Sequence, residues 1–190
     1  NIPMDCGVPN RGYNDTGKGR HDLRFNTGGG VTRDLPAQRA QEEYDKAVQA
    51  YRAGRPDHAA YFLGAAMHYI GDLAQYGHTI KGETHHADFE DWVGALTPSF
   101  DGGGVFENFI VADGLEPRRA DDAVLRTGRL TWTGTAPVLP PAEMDARFGP
   151  GAMADTAFIA SIGHCLNTAV NEAADMLYGF YKAEIRSAAH

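Results

Sequence analysis

Residues 61–78 read YFLGAAMHYIGDLAQYGH. Leu63, Met67 and Ile70 recur at helical spacing with Phe62 and Ala66 beside them, so this stretch belongs to a helix with a broad apolar side. Pro56 starts that helix, which is expected to run to about residue 75 as a central, largely buried element. His68 and Asp72 stand four residues apart, which puts an imidazole and a carboxylate on one face, one turn from each other. His78 follows beyond the expected helix end at Gly77, and His86 and Glu90 repeat the four-residue spacing on the next helical segment. Five nitrogen and oxygen donors within 23 residues suit a metal site, and neutral imidazole with carboxylate suits zinc. The bland alternative for any one pair is a core histidine hydrogen-bonded to its acid, with the later residues on a solvated face.

Outward from this stretch the chain remains helical. Asp34 is placed as an N-cap with Pro36 in the first turn, opening a helix that stops at Gly54. Thr84 is placed to cap a third helix with Phe89, Trp92, Val93 and Leu96 on its apolar side. Within 100–151, GLEPRRADDAVLRTG suggests a short helix, while TWTGTAPVLPPAEMDARFGPG is rich in Pro and Gly and reads as loop. From about Met153 one long helix is expected, along the stripe Phe158, Ile162, Leu166, Ala169, Ala173, Met176 and Phe180. Residues 1–33 carry turn-forming residues at high density, and no run alternates as strands do. The expected class is all-α, in a single domain, since 190 residues bury one core and hardly two.

The net charge of −8 argues against duplex nucleic acid as a partner, although bound cations reverse the local sign. No apolar run reaches the roughly twenty residues a membrane span needs, and Asn1 opens no signal segment. Cys6 and Cys165 form either one bridge or two unrelated buried thiols. The mixed-sign segment EPRRADDAVLRTGR (116–129) reads as solvated surface, His164 as a packed histidine, and His58 and His190 carry no signal.

HYIGDLAQYGH (68–78) with HADFE (86–90) resembles the signature of the bacterial zinc-dependent phospholipases C, HYxGDxxQPxH followed by H-x3-E. Fungal single-strand nucleases share a related segment. The resemblance implies a compact, secreted, multi-helix enzyme that cleaves a phospholipid to diacylglycerol and a phosphorylated headgroup, with transient contact to a membrane surface. His68 and Asp72 would then hold a first zinc, and His78, His86 and Glu90 a second. Asp5, with Pro9 four residues on, and His21 fit the family's two upstream ligands of the first zinc, and Asp5 would be the general base. Asp22 and His85 are the near-register competitors.

The departures are specific. Tyr76 and Gly77 replace the family's proline segment, and Cys6 stands where the family has a choline-contacting aromatic residue. The N-terminal tryptophan and first-helix histidine that hold the family's third zinc have no counterparts. Truncation, cleavage into a separate bound segment, and divergence are the three explanations. With Asp5, Asp72 and Glu90 anionic and the histidines neutral, two zincs leave the centre net positive and attractive to a phosphodiester. The rival expectations are a zinc-dependent nuclease or nucleotidase, and a non-catalytic zinc-stabilised binding module.

Overall fold

A computed structural model describes residues 20–97 and 104–186. The fold is all-α, with six α-helices and one small hairpin among the described residues: β1 (Arg24–Phe25), β2 (Val31–Arg33), α1 (Leu35–Arg52), α2 (Pro56–Asp72), α3 (His86–Ala95), α4 (Ala120–Thr133), α5 (Pro141–Arg147) and α6 (Thr156–Phe180).

Proline near the start of α1 and α2 fixes φ where an amide donor is not needed. Gly54, at φ 72°, takes the left-handed conformation that turns the chain from α1 into α2. Alanines 37, 40, 47 and 50 of α1 are buried, and these small side chains let α2, with Leu63, Ala66, Tyr69 and Ile70, pack closely. Helices α4 and α6 complete this core through Ala123, Val124, Ala169, Met176 and Phe180. Gly128 of α4 sits at a close contact, since a Cβ there would lie 2.4 Å from Leu23 Cδ2 and 2.7 Å from Leu73 Cδ1.

A second core gathers Tyr76, Phe89, Phe106, Met144, Phe158 and Ile162. The 25-residue α6, about 37 Å long at 1.5 Å per residue, contributes Phe158 and Ile162 to this core and Met176 and Phe180 to the first. It is the beam that joins them. Its N-cap is Asp155, which accepts hydrogen bonds from the backbone of Ala157 and Phe158.

Several sequence expectations are corrected. Residues 24–25 and 31–33 pair as an antiparallel hairpin, because Asn26 Oδ1 accepts from Gly28 and Gly30 N–H and closes the turn. Helix α2 ends at Asp72, three residues early, where the chain tightens toward the 3₁₀ turn Tyr76–His78. His85, not Thr84, is the N-cap of α3. Thr84 instead gives its N–H and hydroxyl to Asp145, each at 3.0 Å. The Pro-rich stretch contains the short helix α5 and part of α4, and α6 begins at Thr156, after a 3₁₀ turn Ala152–Ala154 that holds Met153.

The segment read as solvated is in part structural. Arg118 is only 11% exposed and pairs with Glu172 at 2.7 Å and Asp175 at 3.0 Å on α6. Cys165 is buried, has no disulfide partner among the described residues and accepts from the Thr131 hydroxyl, and Cys6 lies outside those residues. No helix of the described residues is long and apolar enough to cross a membrane.

Candidate metal centre

His68 and Asp72 occupy the last turn of α2, and their one-turn separation places His68 Nε2 3.4 Å from Asp72 Oδ2. His21, 51 residues upstream of Asp72, brings Nδ1 to 2.7 Å from the same oxygen. It arrives there because Leu23 N–H donates to His78 O at 2.9 Å, tying the start of the hairpin to the 3₁₀ turn. The Arg24 guanidinium adds a 2.6 Å bond to the same carbonyl. His21 also stacks on the buried Tyr69 ring, with centroids 5.3 Å apart.

The second cluster forms where that turn meets α3. His78 Nε2 lies 3.4 Å and His86 Nε2 3.2 Å from Glu90 Oε1. The donor atoms of His21, His68 and Asp72 lie within 4.8 Å of one another, as do those of His78, His86 and Glu90, so each triad could hold a metal ion. The His21 and His78 ring centroids are 6.3 Å apart, and both triads open on one cavity of about 700 Å³.

Of the seven expected ligands, six converge. Asp5 lies outside the described residues. The register places His21, not Asp22, among the first triad. Asp22 lies 2.9 Å from Arg24 and 3.8 Å from His78 Nδ1. His85 packs its ring against Phe148 at 5.3 Å and joins neither triad. His164 is half-buried, edge-on to Phe109, as a packed histidine. Four further charged residues line the cavity: Asp22, Arg24, Lys81 and Glu83. Glu83 Oε1 is 2.9 Å from His86 Nδ1, and its i, i+3 position relative to that ligand was the available signal. Arg24 and Lys81 have no local pattern that marks them.

Electrostatics among these protein groups favour carboxylates ionised and His78 protonated. Burial pushes the Asp72 carboxyl up, but the His21 hydrogen bond and the neighbouring His68 and His78 outweigh it and hold it below its ordinary range. Burial would depress His78, yet Asp22 and Glu90 facing its two nitrogens, with Asp72 nearby, raise it to about 9. Glu90 is lowered, first by its bond to His78. A metal ion held by the second triad would therefore have to displace a proton from His78.

The Tyr76–Gly77 departure has a structural basis. Tyr76 is buried and donates its hydroxyl to Asp145 at 3.1 Å, anchoring the turn to α5. Gly77 leaves room beneath the second triad, since a Cβ there would lie 2.8 Å from Glu83 Cγ and 3.0 Å from His86 Nδ1. Comparison with protein-family models, with characterised proteins and with solved structures finds no match to this chain.

Proposed function

We propose that this chain is a zinc-dependent phosphodiesterase of phospholipase C type. One observation carries the reading: two imidazole–carboxylate triads, drawn from separate elements, face a single open cavity. Donors on a tetrahedral zinc, about 2.1 Å from the metal, lie roughly 3.4 Å apart. The 3.4, 3.4 and 3.2 Å spacings of His68–Asp72, His78–Glu90 and His86–Glu90 fit that figure. The shorter His21–Asp72 contact is a hydrogen bond that a metal would open. Imidazole-rich donors with one carboxylate each favour zinc over calcium or magnesium, which take oxygen.

His21, His68 and Asp72 hold one zinc in this reading, and His78, His86 and Glu90 the other. Bound zinc supplies the positive charge that polarises a phosphoryl group and makes water a nucleophile near neutral pH. Asp5 serves as the general base that takes the proton from the attacking water. Lys81 sets an ammonium on the cavity wall toward an anionic substrate. Arg24 instead spends its guanidinium on Asp22 and on the carbonyls of Leu23 and His78, so it holds the scaffold. Water replaces the alkoxide at phosphorus, giving diacylglycerol and a phosphorylated headgroup.

The test is native mass spectrometry for zinc content together with hydrolysis of phospholipid vesicles and of single-stranded DNA. Two zincs and release of diacylglycerol are expected. Cleavage of DNA alone would make the chain a nuclease, and full zinc occupancy with neither hydrolysis would make it a binding module.

A further inference from the structure

His78 and His86 both turn Nε2 toward Glu90, which leaves the Nδ1 atoms on the far side of the second triad. The two Nδ1 atoms are treated differently. That of His86 meets Glu83 Oε1 at 2.9 Å, a hydrogen bond, whereas that of His78 is buried without a hydrogen-bond partner among the described residues, 3.8 Å from Asp22. An imidazole that donates Nδ1–H to a carboxylate carries its lone pair on Nε2, in a fixed ring orientation and with raised basicity. The Glu83 side chain is largely sheltered, at 22% exposure.

The pair also depends on a gap. Gly77 approaches Glu83 and His86 so closely that a methyl group there would sit 2.8 Å from Glu83 Cγ and 3.0 Å from His86 Nδ1. Contacts this short force the neighbours to move. The backbone N–H of Gly77 is itself bound by the Gln75 side chain, which keeps the turn from retreating.

We propose that Glu83 is a positioning residue for the second metal site: it fixes His86 in the tautomer and orientation that present Nε2, and Gly77 provides the space in which the two residues meet. The proposal rests on the metal-binding reading above. Replacing Glu83 removes no ligand, yet it weakens one site and spares the other. Outer carboxylates of this kind are worth roughly 10–100-fold in metal affinity.

The experiment titrates the metal-stripped full chain with zinc against a chromophoric chelator, and repeats the titration with cobalt(II) to read the visible absorption of each site. Glu83→Ala is expected to lose about 10–100-fold in affinity at one of two sites. Glu83→Gln, whose amide oxygen still accepts from Nδ1–H, is expected to remain near wild type, and Gly77→Ala to resemble Glu83→Ala. In a His86→Ala background, Glu83→Ala should cost nothing further. If Glu83→Ala does not fold, Glu83→Asp, which is one methylene too short, replaces it. Wild-type affinity at both sites in the alanine variant, or an equal loss with and without His86, overturns the proposal while leaving the metal reading intact. A wild-type chain that binds no zinc overturns both.

Discussion

The raised pKa of His78 makes the metal-free protein lose stability as pH rises. In the folded chain this imidazole holds its proton to about pH 9, against an ordinary value of 6.5. The folded state therefore binds more protons than the unfolded state between those values. The resulting stabilisation is complete below pH 6.5 and is lost as pH climbs through 9. The His78 side chain is 8% exposed, so solvent screens it little. At about 1.4 kcal/mol per pKa unit the contribution is on the order of 3 kcal/mol. For a domain of this size that corresponds to roughly 6–12 °C in Tm. The assay is thermal unfolding in chelator from pH 6 to 9.5, comparing wild type with His78→Gln, so that other titrating groups largely cancel. The stability advantage of the wild type should contract by that amount across the range. With zinc present the trend should reverse, because the metal takes the place of the proton and binds more tightly as the proton leaves. A gap between the two proteins that is independent of pH in chelator would refute the assignment of a charged His78.

Removal of a direct donor, in His68→Ala or Asp72→Ala, should abolish most phosphodiester hydrolysis and at least one equivalent of zinc, and His21→Ala should do the same; a variant with normal zinc content and rate would remove that residue from the site. Asp145→Ala deletes the acceptor shared by Tyr76 and Thr84. It should cost about 1–3 kcal/mol in urea unfolding and loosen the turn that carries Glu83. Gly128→Ala should destabilise by roughly 1–3 kcal/mol by overpacking, since Leu23 and Leu73, which its Cβ would strike, are fully buried and cannot swing away. An unchanged urea midpoint would show that the α4 contact yields more easily than its geometry implies.

The sequence by itself determined most of the long helices and the directions of the donors they carry, though not the short α5. Proline at residues 36 and 56, glycine at 54 and the apolar period of α1, α2 and α6 define those elements, because each signal acts within a few residues. The pairs His68–Asp72 and His86–Glu90 are likewise local facts, since helix geometry alone sets residues four apart on one face. The family resemblance pointed to His21, which lies beside Asp72 in the fold. Tertiary structure decided what no spacing encodes. It brought His21 to Asp72 across 51 residues, and seated Asp22 against Arg24 rather than in the first triad. It also drew Thr84 away from a cap to Asp145, and buried Arg118 against Glu172 and Asp175. The hairpin at 24–33 escaped notice because its strands are too short to show alternation. The His21–Asp72, Thr84–Asp145 and Arg118 contacts join separate elements, so each partner is chosen by which helices pack and how tightly the intervening loop closes, and that choice is made by the whole core rather than by neighbouring residues.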